Sequence, residues 1–495
     1  MRRIANWGDI AKGDAESMAL DILEEGLRAA DPFLSVREAL SGLMGYIGTF
    51  ERVVVIGFGK ASLGMALACE ASLGDRISGG AIIAQRGSIA GEKPERIEVL
   101  EGSHPIPSEL NLRSAERLLS ISRGLSNGDL VITLISGGGS ALFTYPAPGI
   151  TLEDKREATK LLLAAGATIQ EMNCVRKHIS SVKGGQLVRH IHPARILGLI
   201  LSDVVGDDVS SIASGPTSPD PSTYGDAWAI LERRLLIDKV PRNVLKRIRM
   251  GLEGDIPDTP KPGDPIFEGV RNVIVANNMR ALSAMAMRAE SHGLRAMIAT
   301  SYLEGEAREV GKVVGSIAKQ IRHRGQPLSP PCALLFGGET TVTLRGSGKG
   351  GRNQELALSV AISIAGLRDT WFASIGSDGV DGVTDAAGAI VSGATFEEAS
   401  RRGLDPIKFL DDNDSHGILK ELGCLIYTGP TGTNVNDLAI LLVLAGGMAN
   451  RPGQRPADPS QKSDRATGLM GPLPLREQER EDYIARTAGE PDREE

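Results

Sequence analysis

The strongest constraint on this chain is a unit that it repeats: a short β-branched run, a glycine turn, then a helical pattern. Val53-Val54-Val55-Ile56 runs into Gly57-Phe58-Gly59, and Lys60 to Leu73 follows with apolar residues at helical spacing. Leu130 to Ile135 stops at Ser136-Gly137-Gly138-Gly139-Ser140. A helix over Leu152 to Ala167 comes after it, with Thr151 as its cap and Asp154 in its first turn. Ile196 to Leu201 ends at Ser202-Asp203. Continuous apolar runs of this length suit central parallel strands buried on both faces. The expected fold is therefore α/β, with a doubly wound sheet.

At 495 residues the chain exceeds what one core usually supports, so two domains are expected. The segment before Gly48 reads as helices over Ala15–Ala30 and Ser35–Ile47. A Pro- and charge-rich stretch from about Asp238 to Gly269 marks the boundary. It divides the chain into an N-terminal domain over 1–240, a linker over 241–270 and a second, smaller α/β domain over 271–447. In the second, Val273–Ala276, Ala296–Thr300, Trp371–Ile375 and Leu425–Tyr427 read as strands. Ala333–Phe336 and Thr340–Leu344, either side of Gly337-Gly338, read as strands or a hairpin. Helices are expected over Asn278–His292, Glu304–Arg322 and Arg352–Leu367. From about 448 the chain turns polar, rich in proline and charge, and a disordered tail over 448–495 is expected.

The net charge of −7 and the isoelectric point near 5.7 argue against a nucleic-acid partner, which would need a basic face. The four cysteines show no paired spacing, so neither a disulfide framework nor a zinc site is expected. The opening MRRIANWGDIAKGDAE lacks the apolar core of a signal peptide, and the apolar stretch around Leu438 to Met448 is too short to span a bilayer. A cytoplasmic protein without a membrane partner is the expectation. The residues leave a homodimer open.

Glycine makes up 60 of the 495 residues, about 12% against a usual ~7%, and it gathers in loops. Three glycine turns directly follow expected strands: Gly57-Phe58-Gly59-Lys60, Ser136 to Ser140, and Gly376-Ser377-Asp378-Gly379. Ligands of open α/β sheets collect at such strand ends, where backbone N–H groups and helix N-termini favour phosphate oxygens. None is a standard phosphate loop, because Gly348-Lys349 is followed by Gly350 and Gly59-Lys60 by Ala61. The dinucleotide fingerprint also fails, with Ser62 where the third glycine belongs.

Lys60, where a strand gives way to a helix, can place a point charge on a transferring phosphoryl group. In Gly346 to Glu355, Lys349 and Arg352 offer further positive charge, and Arg352 enters a helix with a guanidinium that can fork onto an oxyanion. Asp203, Glu339, Asp378, Asp381 and Asp385 are the acidic candidates, suited to magnesium or to taking a hydroxyl proton. Aspartates in Gly-Asp turns are commonly turn formers, a reading strongest for Asp381 and weakest for Asp203. Arg176-Lys177-His178 with Ser180 and Lys183 make a second cationic cluster, equally readable as a solvated helix face.

Taken in order, these segments resemble the MOFRL-type glycerate kinases that phosphorylate the 2-hydroxyl. The stretches that carry the resemblance are VVVIGFGKAS, EGSHPIPSELNLRSAERLL, LISGGGSAL, NCVRKHISSVKGGQL, LILSDVVGDDVSSIASGPTSPDPSTY, FGGETTVTLRGSGKGGRNQELAL, SIGSDGVDGVTDAAGAI and TGPTGTNVNDLAI. The resemblance implies an N-terminal Rossmann-like domain, a C-terminal MOFRL-type domain and an active site between them. It also implies ATP, Mg2+ and D-glycerate, giving 2-phosphoglycerate and ADP. Carried over by position, Lys60, Arg352 and Asp203 become the catalytic residues, Asp203 also the metal-binding one. The resemblance also marks Ser136, Gly137, Gly138, Gly139, Ser140 and Glu339, and the residue pattern adds Gly57, Gly59, Lys349 and Asp378, as candidates for binding substrate or phosphate. Proteins of this group have also been labelled hydroxypyruvate reductases, and an NAD(P)H-dependent reductase is the alternative reading.

Overall fold

In a computed structural model that describes residues 2–89 and 91–446, the repeated unit builds a six-stranded parallel sheet. Its strands are β1 (Arg52–Phe58), β2 (Ile77–Gln85), β3 (Ile97–Gly102), β4 (Asp129–Ile135), β5 (Arg195–Leu201) and β6 (Val270–Ala276). The order is β3-β2-β1-β4-β5-β6, and every neighbouring pair is parallel. Val53 to Phe58 and all of β4 are buried, as their unbroken apolar character requires of central strands. Strand order reverses between β1 and β4, in register Val54↔Val131 to Phe58↔Ile135. That reversal opens a crevice at the carboxyl ends of these two strands, where folds of this topology bind their ligands.

A second six-stranded sheet holds β7 (Arg295–Leu303), β8 (Cys332–Gly338), β9 (Thr370–Gly376), β10 (Gly388–Ser392), β11 (Leu425–Ile426) and β12 (Asp437–Val443), in the order β11-β10-β9-β12-β8-β7. Only β7 and β8 are parallel. Because β12 runs against both neighbours, its first residue, Asp437, lies opposite the last residues of β8 and β9, Gly338 and Gly376. Asn278, two residues past the end of β6, donates through Nδ2 to the Val435 and Asp437 carbonyls, tying the edge strand of the first sheet to the start of the interior strand β12 of the second.

One hydrophobic core serves both sheets. Val55, Leu134 and Leu199 of the first, Leu335 and Ile440 of the second, and Leu23, Leu27 and Met285 from helices Asp14–Ala29 and Asn278–Ser291 belong to it. A smaller core, with Leu162, Val175, Tyr224 and Ile248, unites helices Leu152–Ala164, Ile169–His178, Tyr224–Arg233 and Arg242–Leu252. These helices are inserted on either side of β5.

Several expectations are corrected. The strand read at Val273–Ala276 pairs with β5, so it closes the first sheet instead of opening the second. Thr340–Leu344 forms no strand: Thr341 and Thr343 hydrogen-bond to Gly305 and Glu306, and that loop takes the backbone bonds a hairpin would need. The polar segment read as a tail falls outside the described residues. Among the described residues no helix is long and apolar enough to cross a membrane.

Candidate functional site

The turns after β1 and β4 meet at the sheet's reversal point. The Lys60 N–H donates to the Gly137 carbonyl (2.9 Å) and the Ala61 N–H to the Ser136 hydroxyl (3.1 Å), which joins the two turns. Gly59 has a φ of 128°, and a Cβ there would lie 2.2 Å from the Ser136 hydroxyl, so only glycine permits the approach. Gly138, at φ 76°, passes under Lys60, whose Cγ is 3.2 Å from where a Cβ would stand.

Asp203 and His104 complete this group. A Cβ on Gly137 would fall 2.2 Å from Oδ2 of Asp203, and one on Gly138 would fall 3.2 Å from the His104 ring. Lys60, His104 and Asp203 therefore all stand over the Ser136–Gly139 turn. Asp203 receives a hydrogen bond from its own backbone N–H. Burial, and then the charge of Glu339, push its carboxyl up to about 6 against the pull of Lys60. Burial and Lys60 together lower His104, which keeps its imidazole neutral near pH 7.

Glu339 comes from the other sheet, one residue past β8, and there it meets Arg352. This arginine opens the helix Arg352–Ser363. Its Nη1 donates to Oε1 of Glu339 (2.7 Å), while Nε and Nη2 fork onto the two carboxylate oxygens of Asp437 at 2.7 and 3.0 Å. Asn353 donates to Asp437 as well (2.9 Å). Burial pushes Asp437 up to about 6, although Arg352 and Asn353 pull the other way. Burial opposes the charge on Arg352 too, but Asp437 and Glu339 outweigh it and raise its pKa. Beneath them Asp381 accepts from the N–H groups and side-chain amides of both Asn353 and Gln354, which fixes the start of the helix.

Of the remaining candidates, Gly57, Lys349 and Asp378 stand apart, while Ser140 closes the turn. Gly57 is paired on both sides within β1, and a Cβ there would lie 2.9 Å from that of Leu134, so it packs the sheet. Lys349 has an exposed side chain, and its N–H donates to Asp414 (3.2 Å) in a loop laid along residues 412–416. Asp378 accepts from the Val380 N–H (3.2 Å) as a turn former. Ser140 bonds Ser214 (2.8 Å) and accepts from Lys183 (3.1 Å).

Residues 18–249 match a family model described as a domain of unknown function, DUF4147, and residues 332–437 match that of the MOFRL family. The chain is 44% identical over 438 residues to the glycerate 2-kinase of Pyrococcus horikoshii, covering 87% of this chain and 98% of that protein. This chain belongs to the MOFRL family. It is also 42% identical to an Agrobacterium vitis protein whose name, hydroxypyruvate reductase, is provisional, over 88% of this chain and 96% of the other. The crystal structure of the glycerate kinase of Thermotoga maritima superposes with a TM-score of 0.79 at 40% identity, over 86% of this chain and 98% of that one.

The two matches divide the site of this MOFRL-family chain between them. Lys60, His104, the Ser136–Ser140 turn and Asp203 fall in the first, and Glu339, Arg352, Asp381 and Asp437 in the second. His104 and Asp437 lie in stretches that carry the family resemblance, EGSHPIPSELNLRSAERLL and TGPTGTNVNDLAI, yet neither is among the site residues read from the sequence, and Asp381, for all its bonds, has the pattern of a plain turn residue. Among the described residues no three His, Cys, Asp or Glu side chains come together as a self-sufficient metal cage. Asp203, whose charge Glu339 makes costlier, fits together with Glu339 a magnesium ion that brings water and phosphate oxygens as its other ligands.

Proposed function

We propose that the chain transfers the γ-phosphoryl group of ATP to the 2-hydroxyl of D-glycerate, giving 2-phosphoglycerate and ADP in the cytosol. The observation that carries this reading is the facing of two charged edges. Lys60 and Asp203 stand at the reversal point of a parallel sheet, and Glu339 links them electrostatically to Arg352. The names of the P. horikoshii and T. maritima proteins support the substrate and the donor class.

Phosphoryl transfer asks for positioning and charge stabilisation more than covalent chemistry. The backbone of the Ser136–Gly139 turn holds an anionic group of the substrate. Asp203 takes the proton of the attacking hydroxyl, and a carboxyl with a pKa of about 6 is ionised yet basic enough near neutral pH. Lys60 and Arg352 flank the transferring group, with Arg352 exchanging its exposed partner Glu339 for a phosphoryl oxygen while Asp437 keeps hold of it. Asp203 and Glu339 would hold a magnesium ion, which would supply neutralisation of the phosphate charge.

The reductase reading requires a bound nicotinamide at the same turn. Ser62, in the place of the third fingerprint glycine, donates to the Gly59 carbonyl (2.8 Å) and so closes the turn on itself. A paired assay separates the two readings. D-glycerate with ATP and Mg2+ is expected to release ADP, and hydroxypyruvate with NADH or NADPH is expected to leave the nicotinamide unoxidised. The reverse pattern overturns the proposal.

A further inference from the structure

Away from Lys60 and Arg352, the chain gathers a second set of positive charges for which the described residues offer no counter-charge. Lys155, on the helix Leu152–Ala164, is 7% exposed and donates to the Ile179 carbonyl (3.2 Å). Lys183 is 2% exposed and donates to the carbonyl (2.7 Å) and hydroxyl (3.1 Å) of Ser140. Arg247 approaches from the helix Arg242–Leu252, its Nε on the His178 carbonyl (2.9 Å). Arg176 is half-buried, and among the described residues its guanidinium finds no acceptor. The carboxylates brought to this region are already engaged: Asp220 with Lys177, Asp258 with His178 and Lys261.

Buried cations packed together without acids are costly unless something else brings negative charge. The carboxyl end of the helix Ile169–His178 accounts for part of the set, because Lys155 and Arg247 bond carbonyls there. It does not account for Lys183, and although Arg176 stands in the last turn of that helix, its guanidinium bonds none of the carbonyls there among the described residues. Burial first, then Lys155 and Arg176, drive Lys183 well towards its neutral form; burial, then Arg176 and Arg247, bring Lys155 down to about 7. The set is wired to the site already described. Ser140 closes the turn on which Asp203 rests, and its hydroxyl meets that of Ser214 (2.8 Å), which bonds Asn173 (3.1 Å).

We propose that Lys155, Arg176 and Lys183, with the hydroxyls of Ser140 and Ser214, form an oxyanion site that anchors the non-reacting charged end of a substrate. The anion is either the phosphate chain of the nucleotide or the carboxylate of the acid, and the proposal rests on the phosphoryl-transfer reading above. The arriving anion restores protons to the lysines, so binding takes up protons from solution.

Calorimetric titration of the full chain at pH 8, in two buffers of different ionisation enthalpy, tests this with D-glycerate, ADP and inorganic pyrophosphate as separate probes. Binding with net proton uptake is expected, and Arg176→Gln should weaken it roughly ten- to a hundredfold, with the loss falling on KM for that substrate. Weakened D-glycerate binding assigns the carboxylate; weakened ADP and pyrophosphate binding assigns the phosphate chain. Equal affinities of both proteins for all three probes, or wild-type binding without proton uptake, overturns the site. The proton count, read with D-glycerate and ADP because pyrophosphate still carries a proton of its own at pH 8, needs no variant and decides the matter even if Arg176→Gln fails to fold. A chain that phosphorylates glycerate with an unaffected Arg176→Gln variant loses this proposal and keeps the kinase reading. One that binds pyrophosphate through Arg176 without phosphorylating glycerate does the opposite.

Discussion

Arg352 holds Asp437 at two points and Glu339 at one, so a single guanidinium spans a buried carboxylate and an exposed one. The fork sets its direction and the third contact is the one open to exchange. Lysine cannot reproduce this geometry, because its ammonium is a point charge without the planar fork. Arg352→Lys is expected to lower kcat by roughly 10²–10³-fold. Steady-state kinetics beside a thermal melt checks this, and near-normal turnover removes Arg352 from the chemistry.

The pH dependence follows from Asp203. In the proposed mechanism its carboxylate is the active form, so kcat/KM should rise with pH through about 6. Glu339 pushes that value up, and Glu339→Gln takes the push away. The acid limb of the variant should therefore lie at lower pH than that of the wild type. Ionisation of the substrates is common to both proteins and cannot produce the difference, so coincident limbs would remove Asp203 as the base.

Gly137 tests the close approach. An alanine Cβ would sit 2.2 Å from Asp203 Oδ2 and force the carboxylate aside. A displacement of about 1 Å at a reacting group costs on the order of a hundredfold. Gly137→Ala should lose about that much kcat/KM while its circular dichroism stays that of the wild type. Unchanged kinetics would mean that Asp203 need not stand where it does.

His178 governs stability instead. Its Nδ1 faces the Cys174 carbonyl (2.7 Å) and its Nε2 faces Asp258 (2.9 Å), so the imidazolium satisfies both acceptors. Burial opposes the charge, but Asp258 and Cys174 outweigh it and raise the pKa to about 9. A folded value above the unfolded ~6.5 means stability fully present below about pH 6.5 and lost as pH rises through 9. The full effect is roughly 3 kcal/mol. Urea unfolding of wild type and His178→Gln at pH 6.5 and pH 9 should show the difference between them shrink at the higher pH. A constant difference contradicts the assignment.

The sequence exposes the site only where it exposes the strand that carries it. β1, β4 and β5 are unbroken apolar runs, so Lys60, the Ser136–Ser140 turn and Asp203 can be placed at strand ends from the residue pattern alone. β3 carries Glu98 and Glu101 and lacks such a run, so no strand pattern places His104, two residues past its end, at a strand end. β12 is wholly buried and apolar after its first residue, a run that periodicity cannot tell from a buried helix, and Asp437 at its start is hidden with it. That β6 belongs to the first sheet is a matter of which strand it meets, and local pattern holds no record of that. The path of the Lys349 loop is likewise set by Asp412 and Asp414, more than sixty residues away in the chain.

The most direct test of the account is the identity of the product. The purified chain, given D-glycerate, ATP and Mg2+, would be followed by phosphorus NMR, which separates 2-phosphoglycerate from 3-phosphoglycerate. The expected result is a 2-phosphoglycerate signal growing in step with ADP. Formation of 3-phosphoglycerate, or of neither phosphoglycerate, would contradict the role given to Asp203 and Lys60.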